Sequence, residues 1–167
     1  MIGVEKIEIK RFRECDLEAV WAIQRAAFRP LYERYRDEDI SPFLEDRETL
    51  LRKYTRENTC GYVFWLDGAP AGAVRVTLCP AEKSARLSGL CVLPALQGRG
   101  IAQQALGEIE RRHGDVKRWS LDTIREEAGN CHLYEKLGYR RTGESEPVND
   151  RMTLVAYEKR RPGRDRT

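Results

Sequence analysis

The stretch from Leu90 to Leu106, LCVLPALQGRGIAQQAL, sets the narrowest limit on what this chain can fold into. An apolar strand runs through a proline into a loop with two glycines, Gly98 and Gly100, and on into an amphipathic helix. The segment VKRWSLDTI then supplies the next strand, so the connection should be a right-handed crossover between parallel strands. Two glycines free the backbone from side-chain interference, and several N–H groups can then turn toward one point at the positive end of the helix dipole. The loop therefore reads as an anion site, with phosphate or pyrophosphate the usual guest. A tight turn that merely needs glycine torsions would leave the same two residues.

Around this unit the hydrophobic pattern changes period several times. VEKIEIKRF alternates, with Ile7 and Ile9 on one face, and predicts a first strand. Asp16 stands as N-cap before a helix over DLEAVWAIQRAAF, and RPLYERYRDEDISPF, broken by Pro30 and Pro42, reads as a loop or short helix. A second helix follows at DRETLLRKYTRE with Asp46 as its cap. GYVFWLDGAPAGAVRVTLC is a hairpin turning at Asp67 and Gly68, and SARLSGLCVLP is a fourth strand. In GIAQQALGEIERRHG the residues Ile101, Ala105, Leu106 and Ile109 form a buried stripe, and Gly114 is the expected C-cap. GNCHLYEKLG is a short helix ending at Gly138, and YRRTGE and DRMTLVAYEK are the last strands. Strands and helices alternate only in the second half, which predicts an α/β fold with a mixed sheet and helices on both faces.

A chain of 167 residues, 41% of them hydrophobic, suits one domain with one well-buried interior, expected over 1–158, followed by a basic, disordered tail at 159–167. No apolar run approaches the ~18 residues needed to cross a bilayer, and the start alternates instead of forming a secretory signal, so neither a membrane nor secretion is expected. The five cysteines are odd in number and scattered, which points to reduced thiols and a cytoplasmic setting. No Cys-x-x-Cys pair occurs, and only His113 and His132 offer imidazole, so no metal is expected. The net charge of +3 comes from 30 basic and 27 acidic residues that are mostly interspersed, which argues against a nucleic-acid surface.

Three nucleotide-binding patterns compete for the glycine loop. A P-loop needs Lys and Ser or Thr after its last glycine, whereas Gly100 is followed by Ile101 and Ala102. A Rossmann fingerprint fits Gly98 and Gly100 but finds Gln103 in place of its third glycine. The third pattern is a resemblance. QGRGIA resembles the Gln/Arg-x-x-Gly-x-Gly/Ala signature of the GNAT acyltransferase superfamily, and NCHLYEKLGY looks like the tyrosine-bearing helix that follows it there. The likeness covers nearly the whole chain, although 29–56 carries no signature. It implies the GNAT fold: a mixed, mostly antiparallel central sheet whose fourth and fifth strands splay apart. It further implies acetyl-CoA as co-substrate and N-acetyl transfer to a primary amine of a small molecule or peptide. The pyrophosphate would rest on Gln97, Gly98, Arg99, Gly100, Ile101 and Ala102. The pantetheine arm would run along the backbone of Leu90, Cys91 and Val92.

By the same resemblance, Tyr134 is the proton donor to the departing thiolate, and a backbone N–H at Leu90 or its neighbour holds the oxyanion. An aromatic core residue is the other reading of Tyr134. Asn130, one helical turn earlier, can face the same groove or serve as N-cap of its short helix. The fourth strand contains no carboxylate, so Asp122, Glu126 or Glu127, or ordered water, remains to take the amine's proton. That missing acid also fits an alternative, a non-catalytic acyl-CoA-binding module of the same fold. Cys131 and His132 are adjacent on a helix, about 100° apart, and do not form a nucleophile–base pair. The acceptor wall is expected in 29–56, where Asp37, Glu38 and Asp39, with Glu45, Asp46 and Glu48, would favour cationic amines unless Arg29, Arg34, Arg36 and Arg47 neutralise them. A homodimer is compatible with the sequence.

Overall fold

Period-two alternation in the central strands feeds two separate cores, one on each face of a single sheet. A computed structural model describes residues 6–161. The strands are β1 (Ile7–Arg11), β2 (Thr59–Leu66), β3 (Ala69–Cys79), β4 (Ser84–Val92), β5 (Arg118–Ile124), β6 (Arg140–Asn149) and β7 (Met152–Arg160). The helices are α1 (Leu17–Tyr35), α2 (Arg47–Tyr54), α3 (Ile101–Arg112) and α4 (Ala128–Lys136). Tyr62 and Phe64 of β2 and Val74 and Val76 of β3 pack with Ile101, Ala105, Leu106 and Ile109 of α3. Their strand neighbours Val63 and Ala73 point the other way, against Val20 and Ile23 of α1 and Leu50 and Tyr54 of α2.

The sheet order is β1-β2-β3-β4-β5-β7-β6. The first four strands form an antiparallel meander, β4 and β5 are parallel across α3, and β5-β7-β6 is antiparallel again. The parallel pair is short. Ser84, Ala85 and Arg86 pair with Arg118, Trp119 and Ser120, and beyond them the two strands run on to Val92 and Ile124 without pairing. A β-bulge accompanies this parting: Ala73 faces Cys91 but Arg75 faces Ser88, so β4 carries an extra residue, and Gly89 holds φ +67° within it. Bulges of this kind bend a strand and re-aim its side chains.

Local chemistry explains the other element boundaries, with some differences from expectation. Asp67 and Gly68 take φ of 50° and 80°, the torsions a two-residue hairpin requires. Asp46 caps α2 by accepting from the Thr49 N–H at 2.8 Å. Asp16 sits at the N-cap of α1, but its carboxylate accepts from Arg13 N at 2.8 Å and leaves the α1 amides alone. Helix α1 continues through Pro30 to Tyr35, where a loop or short helix was expected. Proline removes one hydrogen bond, and the packing of Leu31 and Tyr35 against Ile124 and Met152 carries the helix past it. His113, not Gly114, caps α3, and Glu127, not Asn130, occupies the N-cap of α4.

The domain boundary expected after residue 158 falls within β7. Lys159 pairs with the buried Glu110 at 2.8 Å, and Arg161 donates to the Lys117 and Glu110 carbonyls. Residues 162–167 and the first two residues of the expected first strand, Val4 and Glu5, lie outside the described residues. Among the described residues no helix is long and apolar enough to cross a membrane.

Candidate active site

The cleft opens where β4 and β5 part, and the glycine loop closes one end of it. Gly98 and Gly100 both hold φ +80°, with Gly100 at the N-cap of α3. A Cβ on either would meet nothing within 4 Å. Glycine is thus required here by torsion, and the space in front of it stays open for something outside the chain. Gln97 pins the loop by donating from Nε2 to the Val92 carbonyl at 3.0 Å. The first amides of α3 have no partner within the helix, as at any helix start, and their dipole favours an anion.

A groove of about 720 Å³ runs from this loop along Leu90, Cys91 and Val92 to α4. Gln97, Gly98, Gly100, Ile101 and Ala102 border it at one end, Gly129, Asn130 and Tyr134 at the other. Arg99 lies elsewhere: it borders a separate open cavity with Lys10, Arg111 and Arg112. Cys91 offers the groove only its backbone. Its thiol donates to the Ala73 carbonyl at 3.8 Å in the opposite core, and burial pushes it up to about 12.

A second cavity, of about 300 Å³, opens on the α1 and α2 face of the sheet, among Gln24, Asp37, Glu45, Lys53, Arg75, Gly89 and Asp122. The two cavities meet. Phe28, Leu31, Leu90, Asn130 and Tyr134 border both. Tyr134 is 8% exposed, packs edge-on to Tyr139 at 6.0 Å, and has a phenol pKa raised by burial, then by the nearby Cys131. The expected core reading and the expected groove reading of Tyr134 are therefore both visible in its position.

The carboxylates are largely engaged. Glu127 borders the groove, but it accepts from Arg34 Nη1 at 2.8 Å and from the Tyr35 hydroxyl at 3.0 Å. Asp122 borders the second cavity and accepts from Arg86 Nη2 at 2.7 Å. Glu126 borders neither; it accepts from Thr153 N at 3.1 Å. Burial pushes Glu126 up, but that amide and the Arg125 charge outweigh it, and its pKa falls below the usual range. Of the two acidic clusters in 29–56, only Asp37 and Glu45 reach the second cavity; Glu38 and Asp39 are exposed and Asp46 caps α2.

Sequence reasoning missed Arg75, Gln24 and Lys53 as cavity residues. Arg75 carried a signal: it is a lone charge in the apolar run AVRVTL, and alternation puts it on the face opposite Val74 and Val76. Gln24 and Lys53 belong to ordinary amphipathic helices, and nothing in their spacing marks them.

Several known proteins of the same shape are acetyltransferases. The ribosomal-protein-S18-alanine N-acetyltransferase from Escherichia coli superposes with a TM-score of 0.74 at 16% identity, over 96% of this chain and 98% of that one. The PaiA N-acetyltransferase from Thermoplasma acidophilum, solved in complex with coenzyme A, gives 0.73 at 19% identity, over 93% and 99%. The spermidine N-acetyltransferase from Vibrio cholerae, in complex with CoA and spermine, gives 0.71 at 17% identity, over 91% and 94%. No curated protein sequence matches the chain. The model of the acetyltransferase (GNAT) family matches residues 17–139, which span α1 through α4 and include both the glycine loop and the Tyr134 helix, and the chain belongs to that family.

Proposed function

We propose that the protein moves an acetyl group from acetyl-CoA to the primary amine of a small molecule or peptide by direct attack. The meeting of the groove and the second cavity at Leu90, Asn130 and Tyr134 carries this reading. One cavity has the glycine loop and an unpaired strand edge, which suit a pyrophosphate and an extended amide-bearing arm. The other has polar walls and ends at the same point, which suits an amine. The Leu90 to Val92 backbone holds the arm as an added strand would, since β4 pairs there with β3 alone and has no partner on its β5 side.

The reaction follows from these positions. The amine nitrogen forms a bond to the thioester carbon, an N–H at Leu90 stabilises the oxyanion, and collapse breaks the C–S bond. The Tyr134 phenol gives its proton to the leaving sulfur. Burial keeps that phenol protonated, and the same low-dielectric setting raises the proton affinity of the thiolate forming beside it. Glu127 and Asp122 are each held by an arginine, so the amine's proton leaves through water in the second cavity. Five free thiols accord with a reducing, cytoplasmic setting.

The test is release of CoA thiol from acetyl-CoA across a panel of amino acids, polyamines, aminoglycosides and N-terminal peptides. Tyr134→Phe should lower kcat about 10²-fold, within the range of general acids, with acetyl-CoA affinity little changed. Full turnover in that variant would make Tyr134 a packing residue. The paired state of Glu127, Asp122 and Glu45 favours a second reading, an acyl-CoA-binding module without turnover. Tight acetyl-CoA binding with no thiol release for any amine would establish it.

A further inference from the structure

Six charged side chains border the second cavity, and four of them neutralise one another. Glu45 is taken by Lys53 at 2.5 Å and by Gln24 Nε2 at 3.0 Å, and Asp122 by Arg86 at 2.7 Å. The remaining two, Arg75 and Asp37, have no ion-pair partner among the described residues. Both are also incompletely hydrogen-bonded: Arg75 Nη1 and Asp37 Oδ1 are shut off from bulk water without a partner. Asp37 is only 6% exposed. Leaving a charged group buried and unpaired is costly, so these two atoms mark places where a ligand completes the structure.

Their placement gives the ligand an orientation. Arg75 stands over the Tyr54 ring at 5.5 Å and presses its guanidinium against Gly89, where a Cβ would come within 2.7 Å of Nη1. Gly89 immediately precedes Leu90, where the two cavities meet. An anionic group on Arg75 therefore lies beside the reacting centre, close enough to be part of the same small molecule as the amine. Asp37 borders the cavity from the end where Tyr35, Ile124 and Met152 pack. One unpaired cation and one unpaired anion match a zwitterion, and a polyamine, with no anionic group, leaves Arg75 unpaired. Phe28, Leu31, Ile124 and Met152 supply apolar parts of the wall, beside the polar Gln24, Ser41 and Thr123.

We infer that the acceptor is a free α-amino acid, its carboxylate bound by Arg75 and its amine directed toward Leu90 and Tyr134. This rests on the acetyl-transfer reading above and narrows its amine to one class. The amine forms the new N–C bond, the C–S bond breaks, and the products are an N-acetyl amino acid and CoA thiol. Of the two protons the ammonium gives up, one is balanced by the proton Tyr134 passes to sulfur, and the other goes to solvent.

The experiment compares L-methionine and L-leucine with their carboxamides and with spermidine, reading CoA thiol release and the mass of the acetylated product. The free acids should have kcat/KM higher than the amides by roughly 10- to 100-fold, the range of a charge-assisted hydrogen bond. Arg75→Met should erase this acid-over-amide preference, and Arg75→Lys should keep part of it. Equal or better turnover of the amides or of spermidine by the parent overturns the inference while leaving acetyl transfer standing. A preference that survives in a folded Arg75→Met protein overturns it as well. If Arg75→Met does not fold, the parent's acid-versus-amide ratio decides alone. Calorimetry of L-methionine against the CoA-loaded protein separates the two readings: binding of the acid without turnover supports the Arg75 site and defeats the transferase, and turnover with amides alone does the reverse.

Discussion

Gly100 offers a way to weigh charge against backbone torsion at one position. At φ +80° any L side chain costs about 1–2 kcal/mol of stability, and no clash adds to this because a Cβ there meets nothing within 4 Å. Gly100→Ala and Gly100→Glu should therefore melt at nearly the same temperature, both below the parent. Their affinities for acetyl-CoA should differ. A carboxylate about 4 Å from a phosphate is repelled by about 1 kcal/mol in bulk water and about 4 kcal/mol at the effective dielectric of a protein surface. Gly100 is exposed, so the result belongs between these limits, roughly 5- to 1000-fold in Kd, and added salt should shrink it. Calorimetry with acetyl-CoA at low and high salt, beside thermal melts, measures both parts. Equal affinity in the Ala and Glu variants would mean that the pyrophosphate lies elsewhere and that the two glycines serve the turn alone.

Other consequences are open to simple measurement. Gly89→Ala should lose about 1–2 kcal/mol in a denaturant titration from its φ of +67°, and should also lose kcat/KM because the methyl drives into Arg75. Burial, helped by Arg11 and Arg112 and opposed by Asp115, lowers the pKa of His113, whose ring meets the Tyr62 hydroxyl at 2.7 Å. Its folded pKa lies below the unfolded value of about 6.5, so the unfolded chain takes the proton first and stability falls as pH drops below about 6.5. His113→Gln should flatten the melting temperature between pH 7 and pH 5 relative to the parent, and an unchanged pH slope would show that other groups set it.

Much of the fold was legible because its signals are local. The period-two runs and the 3.6-residue stripes locate the strands and helices, and Asp67-Gly68 fixes its hairpin through torsions only such residues adopt. The signals that failed were those a competing contact can outvote. Pro30 reads as a helix end, yet α1 passes through it because Leu31 and Tyr35 have a core to reach. Asp16 reads as a cap, yet the amide three residues before it, Arg13 N, takes its carboxylate. The bulge at Gly89 is a matter of register between β3 and β4, and register is a property of two strands at once.

The site divides along the same line, and its division explains why the glycine-loop end has a local signature in sequence and the second cavity has none. An anion at the glycine loop would be held by backbone atoms, and these need only glycine at two positions and a helix start, all within one short run of sequence. The second cavity instead depends on which charges cancel. Arg86 and Asp122 are 36 residues apart, and in the adjoining groove Arg34 and Glu127 are 93 apart, so no pattern of spacing announces either pair. An acid-rich segment therefore looks attractive to cations in sequence, whereas in three dimensions Glu45 is already neutralised and Glu38 and Asp39 face away into solvent. What pairing leaves over in that cavity is Arg75 and Asp37, the two groups on which the acceptor proposal rests. Arg75 comes from a strand whose neighbours gave every appearance of plain core. Charge specificity in such a cavity is set by the few groups that pairing leaves over, and a census of charge along the chain cannot substitute for knowing the pairs.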